Sequence, residues 1–225
     1  MRAPISVLIP TLNAAGTLGP LLAAICDGMA AGLVREVILA DGGSADGTRE
    51  AAQLTGARLC ETAPGRGYQL AAGAELARGD WLLVLHADTA LPDGWMASVA
   101  AHIRSGAGAG YFDLSFDAGG LAARLVAGWA NLRARLFGLP YGDQGLLLPM
   151  SLYRSVGGYP HIPLMEDVAL ARALHGRLAP IGVRVTTSAS RYRRDGWLRR
   201  GWRNLTTLGL YFAGVDPAYL AKRYR

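Results

Sequence analysis

Short apolar runs that alternate with helix-like stretches through the first hundred residues constrain the fold more than any other feature of this sequence. The runs 5–9, 36–40, 57–61 and 80–86 have the length and the residue types of buried strands. Strands that are apolar on both faces and alternate with helices form parallel sheets covered by helices on both sides. We therefore expect an α/β fold with a mostly parallel central sheet flanked by helices.

The segments between and after these runs complete the predicted order of elements. In the first half, four helices are predicted. The first covers 14–28, the second begins after an N-cap at Ser44 or Asp46, the third lies in the later part of 65–79, and the fourth covers 93–104. In the second half, the patterns predict a strand at 108–116, an amphipathic helix at 120–137, a loop feeding a strand at 142–150, a helix at 165–176, and a strand near 182–187. No repeat or linker divides the 225 residues, which suit a single domain.

Polar side chains follow three of the predicted strands at the point where each strand ends. They are Thr11, Asn13, Asp41, His86 and Asp88. Open parallel sheets bind ligands at the carboxyl ends of their strands, so these residues are candidates for a binding site. Each aspartate also suits an ordinary turn. If the two aspartates end adjacent strands, they could hold Mg²⁺ or Mn²⁺ together with substrate phosphate oxygens.

A pair of acids, Glu166 and Asp167, opens the predicted helix at 165–176. Acids are favoured in a first helical turn by the helix dipole alone. The functional alternative is a general base, which needs a carboxylate facing a cleft and a pKa raised by burial or by nearby acids. The sequence leaves open which of the two side chains faces inward.

Positive charge is concentrated at the C-terminal end. Residues 184–225 hold ten Lys or Arg against two Asp, whereas the whole chain has a net charge of +6. Arg191, Arg193 and Arg194 could bind a pyrophosphate, because guanidinium groups match phosphate oxygens. Apolar residues recur at helical spacing over 197–212 with arginines between them, which suits either an ordinary packed helix or an interfacial helix on an anionic membrane. No recognition motif supports nucleic-acid binding.

Two further features bear on the class of protein. Cys26 and Cys60 form no metal or disulfide pattern, so we interpret them as buried free thiols in a reducing cytosol. The segment "GRGYQ" contains a Gly-x-Gly, but it does not follow the first strand as a dinucleotide-binding fingerprint would. A nicotinamide enzyme is therefore disfavoured.

Four motifs in order resemble a known family. "SVLIPTLNAAGTL", "ILADGGSADGT", "LVLHADT" and "MEDVALARALHG" are similar to those of family 2 glycosyltransferases of the GT-A fold. "YGDQGLLLPMSLYRSVGGYP" and "SRYRRDGW" further resemble a bacterial subfamily known as radical-SAM/selenodomain-associated transferase 2. The resemblance covers nearly the whole chain. It implies an inverting, hexosyltransferase-type enzyme that makes a single transfer from a nucleotide-sugar.

The resemblance also implies roles for individual positions. On the donor side, it implies that Pro10, Thr11 and Asn13 line the nucleotide pocket, that Asp41 contacts the base, and that Arg66 lies near the nucleotide, with Arg191 and Arg193 as further candidates. His86-Ala87-Asp88 stands where the family usually has Asp-x-Asp, so Asp88, with His86 as a second candidate ligand, would hold Mn²⁺ or Mg²⁺. Asp167 would be the base, with Glu166 beside it, and Asp143 and Gln144 would line the acceptor side.

The implied organisation is a nucleotide-sugar half at 1–105, an acceptor half at 106–195 and basic amphipathic helices at 196–225. The expected partners are a UDP- or GDP-sugar and an unknown acceptor, and no nucleic acid. A cytoplasmic location is expected, with peripheral contact to the inner face of the membrane through the basic tail. Two alternatives stay open: a sugar-phosphate nucleotidyltransferase, and a non-catalytic nucleotide-sugar binder at a membrane surface.

Overall fold

A computed structural model describes residues 3–224, so residues 1–2 and 225 of the predicted organisation lie outside the described residues. One sheet of seven strands has the order β3-β2-β1-β4-β6-β5-β7. The strands are β1 Ile5–Thr11, β2 Val34–Asp41, β3 Arg58–Glu61, β4 Trp81–Val84, β5 Ala109–Phe116, β6 Leu146–Pro149 and β7 Leu178–Thr187.

Helices connect and cover these strands. They are α1 Ala15–Ala30, α2 Thr48–Thr55, α3 Arg66–Glu75, α4 Trp95–Arg104, α5 Leu121–Phe137, α6 Met150–Ser155, α7 Glu166–Ala173, α8 Ser190–Asp195, α9 Trp197–Phe212 and α10 Pro217–Tyr224. A short 3-10 turn, Gly142–Gln144, precedes β6. The predicted elements occur in the predicted order in both halves of the chain, but the sequence patterns did not predict α6 and α8.

The sheet is mixed but mostly parallel, as predicted. β1 pairs in parallel with β2 and with β4, β2 with β3, and β5 with β7, whereas β6 runs antiparallel to both of its neighbours. The expectation that Asp41 and Asp88 end adjacent strands is wrong. β1 lies between β2 and β4, because the long crossover connections place β4 beside β1 rather than beside β2 or β3.

Two apolar layers sandwich the sheet. One layer holds Leu18 and Leu21 of α1 and Trp95 of α4. The opposite layer holds Leu70 of α3 and Leu170 of α7. The strands contribute to both layers because their side chains alternate between the two faces of the sheet. The fully buried β1, with every residue from Ile5 to Thr11 inaccessible, is the centre of this sandwich.

Three local predictions need correction. The N-cap of α2 is Gly47 rather than Ser44 or Asp46. Ser44 Oγ instead accepts the N–H of Asn13, and Asp46 accepts the N–H of Thr48 from just before the helix. The strand predicted at 80–86 ends at Val84, which leaves His86 outside it. Cys26 is exposed, on the outer side of α1, and Cys60 is half-buried on β3, the edge strand, so the prediction of two buried thiols is wrong.

The C-terminal helices pack on the domain with one side only. In α9, Arg200, Thr207 and Leu208 are buried, and the helix lies against α5. Other members of the predicted apolar stripe, including Leu198 and Trp202, are exposed. Within the part of the chain that the structure describes, no helix combines the length and the apolar character needed to cross a membrane.

Candidate functional site

The carboxylate of Asp41 closes the turn after β2. It is fully buried and accepts hydrogen bonds from the Thr11 hydroxyl at 3.0 Å and from the backbone N–H groups of Gly43 at 3.1 Å and Ser44 at 2.8 Å, as well as from the Ser44 hydroxyl. Burial raises the pKa of Asp41, but these hydrogen bonds outweigh it and hold the pKa below its usual value. The carboxylate therefore organises the loop, and its predicted contact with a base stays a prediction.

Asn13 joins the loops that follow β1 and β2. Its backbone N–H donates to Ser44 Oγ at 2.8 Å, and its side-chain oxygen accepts from the N–H of Ala45 at 2.9 Å. Its φ of 51° lies in the left-handed region, which asparagine tolerates better than most residues. Pro10 pairs with Ala40 inside the sheet. These contacts join the loops at 12–14 and 42–47, which we call the double loop, and hold the predicted nucleotide-side residues together.

His86 and Asp88 hold each other directly after β4. His86 Nδ1 contacts Asp88 Oδ1 in a short hydrogen bond, and Thr187 Oγ1 donates to the same oxygen at 3.1 Å. Burial raises the pKa of Asp88, but the interactions with His86 and Thr187 lower it by more. The pKa of this carboxyl therefore lies below its usual value, which favours the ionised form. Ala87, between them, points into the core. The predicted motif thus presents one carboxylate and one imidazole.

Glu166 and Asp167 begin α7 after a left-handed residue, Met165, whose φ is 68°. Glu166 is only 1% exposed, and its Oε1 lies 3.1 Å from Nε of Arg66. Burial raises the pKa of Glu166 to about 7; Arg66 opposes the rise and Asp167 adds to it. A non-glycine residue held in this backbone region is a recurrent feature of functional sites.

Asp167 is fixed by the backbone rather than by a cation. Its Oδ2 accepts the N–H of Gly142 at 2.8 Å, and its Oδ1 accepts the N–H of Val168 at 2.8 Å. A Cβ built on Gly142 would stand 2.2 Å from Nη2 of Arg66, so this glycine lets the guanidinium pass close to the backbone. Gly142 therefore links both acids of the pair to the 3-10 turn.

The glycines of "GRGYQ" have a structural explanation. Gly65 has a φ of 145°, and a Cβ on Gly67 would meet the carbonyl oxygen of Ile162 at 2.2 Å. They allow the start of α3 to approach the loop before α7. Arg66, between them, is thereby brought to Glu166. Its predicted place near the nucleotide stays a prediction.

The 3-10 turn holds the two residues predicted for the acceptor side. Oδ1 of Asp143 is buried and has no hydrogen-bond partner among the described residues. Burial raises the pKa of Asp143; His86 and Arg66 oppose the rise, while Asp167 and Asp88 add to it. Gln144 is fully buried and bonds to the backbone of Phe112 at 3.1 Å and Tyr141 at 3.0 Å. The carboxyl of Asp143 thus interacts electrostatically both with the His86-Asp88 pair and with Arg66 and Asp167. Gln144 instead holds the 3-10 turn against the backbone of β5.

One cavity of about 600 Å³, which we call the site cavity, gathers half of the predicted residues. Those that line it are Arg66, His86, Asp88, Asp143, Glu166, Asp167 and Arg191. The others do not line it: Pro10, Thr11, Asn13, Asp41, Ala87, Gln144 and Arg193. Arg193 pairs instead with Asp117 at 3.3 Å on the surface. The cavity therefore joins the His86-Asp88 pair to the Glu166-Asp167 pair.

Sequence reasoning missed several cavity residues. Tyr141 lines the cavity above Arg133, whose guanidinium lies 3.1 Å from the centre of the ring. Arg133 is buried, and burial lowers its pKa, although Tyr141, Asp167 and Asp143 oppose this. Tyr192 and Trp197 also line the cavity. Arg133 lies on α5 and Tyr141 lies beyond the end of that helix, so no pattern within the helix indicated that the two side chains would meet.

The residues present fit a divalent cation held jointly with a substrate. Within residues 3–224, no group of three or more His, Cys, Asp or Glu side chains could hold a metal by itself. Mg²⁺ is usually bound by one or two carboxylates, with substrate phosphates completing its ligands. Asp88 offers an ionised carboxylate, and Asp143 adds a buried oxygen without a partner. These oxygens suit such a shared site.

Comparisons with known proteins agree with the predicted family. The model of the family described as Glycosyl transferase family 2 matches residues 6–121. A search of curated protein sequences gave no match. The family match covers β1 to β5 and thus includes the double loop, Arg66 and the His86-Asp88 pair, but not α7.

Solved structures share the fold over nine-tenths of the chain. Glucosyl-3-phosphoglycerate synthase from Mycobacterium tuberculosis, in complex with Mn²⁺, UDP and glucosyl-3-phosphoglycerate, is 22% identical with a TM-score of 0.61, over 90% of this chain and 78% of that one. S. aureus TarS 1-349 is 13% identical with a TM-score of 0.63, over 91% of this chain and 64% of that one. The fold is the GT-A fold.

Proposed function

Because this chain belongs to glycosyl transferase family 2, we propose that it is an inverting, metal-assisted enzyme that moves one sugar from a nucleotide-sugar to an acceptor hydroxyl. The observation that carries this proposal is the site cavity, in which Asp88 and Asp167 face the same space. A glycosyl transfer needs positive charge for the leaving diphosphate and a base for the nucleophile. Asp88, after β4, would hold the divalent ion that supplies the positive charge. Asp167, on α7, would be the base.

The donor would lie between the double loop and Asp88. Hydrogen bonds hold Thr11, Asn13 and Asp41 together at the ends of β1 and β2, and β4, which leads to Asp88, lies beside β1. We expect this loop to hold the nucleoside, and Arg191, which lines the cavity near Asp88, to pair with the diphosphate. UDP in the structure of the mycobacterial synthase supports a nucleoside diphosphate as the leaving group, and UDP- or GDP-sugars are the first candidates.

Asp88 would hold the divalent ion, with Asp143 and the imidazole of His86 as further candidates. When bound, Mn²⁺ or Mg²⁺ supplies positive charge that stabilises the leaving diphosphate. His86 already engages one oxygen of Asp88, so it orients the carboxylate whether or not it also binds the ion. The Mn²⁺ and Mg²⁺ of the mycobacterial synthase structures support this part of the proposal.

Asp167 is the base in this proposal. The backbone N–H groups of Gly142 and Val168 position its carboxylate, and Arg66 pairs with Glu166 beside it. Glu166 is almost wholly buried and engaged by Arg66, whereas Asp167 is partly accessible and lines the cavity. Asp167 would take the proton of the acceptor hydroxyl as its oxygen forms a bond to the anomeric carbon. The bond from that carbon to the diphosphate breaks at the same time, and the diphosphate leaves with the electron pair. Attack from the opposite face inverts the carbon.

The remaining parts of the proposal follow from this arrangement. Residues 1–105 would form the donor half and 106–195 the acceptor half of one domain, with 196–225 as its basic helical end. We propose a hexose as the transferred sugar and a single transfer per acceptor. We also propose a cytoplasmic location with peripheral membrane contact, which the exposed apolar residues of α9 and the arginines between them support.

The test is release of nucleoside diphosphate from a panel of UDP- and GDP-sugars, with water as the acceptor of the sugar and with and without Mn²⁺, by the wild type and by Asp167→Asn. The proposal expects Mn²⁺-dependent release with one base, and loss of release but not of donor binding in the variant. A non-catalytic binder would show donor binding and no release in either protein. That result would refute the proposed enzymatic activity but would still support binding of the nucleotide-sugar.

A further inference from the structure

The site cavity is much larger than its charged corner. Apolar side chains from β5, α5, α8 and α9 line much of the remainder, which we call the apolar groove: Leu114, Phe116, Leu125, Val126, Trp129, Tyr192, Trp197, Leu198, Trp202 and Leu205. This groove is continuous with the space between Asp88 and Asp167. A ligand that entered the groove would therefore lie directly beside the reacting groups of the proposed transfer.

Packed aromatic rings form a fixed wall of the groove. Tyr192 stacks on Trp197 with ring centres 4.7 Å apart, and Phe116 meets both rings edge-on at 5.0 and 5.2 Å. Rings packed at these distances support one another and resist collapse into the empty space. The groove is thus a built feature of the fold rather than a gap between mobile side chains.

The part of the groove that α5 and α9 form exposes apolar side chains to an unusual extent. Leu125 is 64% exposed and Trp129 44% on α5, and Leu198 is 89% exposed and Trp202 71% on α9. Single exposed apolar residues are common, but a contiguous apolar surface marks a site that binds a partner or a ligand. The two helices pack against each other, so these side chains share one surface.

The donor is not the occupant of this groove. The residues that would hold its nucleoside, Thr11, Asn13 and Asp41, do not line the cavity, and the groove lies among β5, α5, α8 and α9. A hexose and a diphosphate are also polar and would gain little from leucine and tryptophan side chains. The groove therefore belongs to the acceptor side of the site.

We propose that the apolar groove binds the apolar chain of the acceptor, so that the substrate is a lipid whose polar head presents its hydroxyl to Asp167. This inference rests on the proposed function. The chain would run from the carboxylates outward between α5 and α9, past Trp129 and Trp202.

The charge around the groove fits a lipid drawn from an anionic surface. Arg194 and Arg199 are exposed and lie within four residues of Leu198 in the chain, and Arg191 lines the cavity itself. The nearby acid, Asp195, is already engaged by Arg194, Arg200 and Arg203. Positive side chains next to exposed apolar ones are typical of segments that contact anionic lipid.

Binding of butyl and octyl β-D-glucoside, both below their micelle concentrations, tests the groove. The two probes have the same hydroxyl-bearing head and differ by four methylenes. Full burial of a methylene tightens binding by about fourfold, so full burial of all four would tighten it by about 250-fold. Because the outer end of the groove is open, we expect octyl glucoside to bind at least about fiftyfold more tightly. Calorimetry gives the affinities, and tryptophan fluorescence reports on Trp129, Trp197 and Trp202.

Two leucines of α5 provide a matched pair of variants. Leu125 lines the groove and Leu121, one turn earlier and 71% exposed, does not. Leu125→Ser should weaken octyl glucoside by about tenfold, because a leucine side chain is worth about 1.5 kcal/mol or more on burial. Leu121→Ser should leave its affinity unchanged. Both positions are exposed, and thermal unfolding verifies that both variants fold.

The outcomes separate this inference from the proposed function. Equal affinities for the two glucosides, or equal weakening by both serine variants, would overturn the groove as a chain site even if UDP- or GDP-sugars bind. Chain-length dependence without any binding of a nucleotide-sugar would instead overturn the proposed function. Chain-length dependence lost only in Leu125→Ser, together with donor binding, supports both.

Discussion

The backbone N–H of Gly142 donates a hydrogen bond of 2.8 Å to Oδ2 of Asp167, across 25 positions of the chain. The same glycine leaves room for Arg66, which pairs with Glu166. One backbone position in the 3-10 turn thereby sets the relation between the proposed base, its buried neighbour and the arginine. The first predictions follow from this triangle.

Asp167→Asn is expected to keep donor binding and to lower nucleoside diphosphate release about 100- to 10,000-fold, the usual contribution of a general base. The amide can still accept one of the two backbone hydrogen bonds, so the fold should persist. Release kinetics and calorimetric donor affinity check this. Asp27→Asn, on the exposed side of α1, is the control. Full release by Asp167→Asn would assign the base elsewhere.

Gly142→Ala is expected to lower release without lowering stability by more than about 1 kcal/mol. The new Cβ would meet Nη2 of Arg66, a flexible end that can move, and the Arg66–Glu166 pair would loosen. Gly128→Ala on α5 is the matched control, because its Cβ would meet nothing within 4 Å. Equal rates of nucleoside diphosphate release by the two alanine variants would show that the position of Arg66 does not affect catalysis.

Glu166→Gln is expected to change how stability depends on pH. The pKa of Glu166 is raised from 4.5 to about 7, so the folded state holds this proton more tightly than the unfolded state between those values. Wild-type stability relative to the variant should therefore fall as pH rises through that window, by at most about 1.4 kcal/mol per pH unit. Urea unfolding at several pH values measures it, and parallel curves would contradict it.

Asp41→Ala is expected to cost about 3 kcal/mol of stability, because it leaves buried donors of Thr11, Gly43 and Ser44 without their acceptor. Denaturant unfolding measures this, with Asp27→Ala within about 0.5 kcal/mol of wild type as the control. A stable Asp41→Ala protein that had lost only donor binding would show that the carboxylate serves the nucleotide rather than the loop.

Local sequence patterns were enough to predict most of the fold. Apolar runs and helical periodicity located the strands and helices because those signals arise within ten or so neighbouring residues. The order of the strands depends on which long crossover packs where, and so the expected adjacency of Asp41 and Asp88 failed. Cys26 failed for a related reason: its apolar surroundings in sequence did not reveal that it faces outward from α1.

Site residues that belong to a local sequence motif were predictable, and those that meet only in the folded chain were not. His86, Asp88, Glu166 and Asp167 do converge on one cavity. The pairing of Arg66 with Glu166 joins residues far apart in sequence, and no local pattern encodes it. The apolar groove is assembled from four elements whose apolar side chains each suit ordinary core packing.

The most direct test of the account is thermal unfolding of the wild type and Asp88→Ala with nucleoside diphosphates and their sugars, with and without Mn²⁺. A ligand at about 100 times its Kd stabilises a protein by about 2.7 kcal/mol, which is a shift of several degrees for a chain of this size. The account predicts a Mn²⁺-dependent shift with one base in the wild type, lost in Asp88→Ala. An absence of any shift in the wild type, or an identical Mn²⁺-dependent shift in Asp88→Ala, would contradict it.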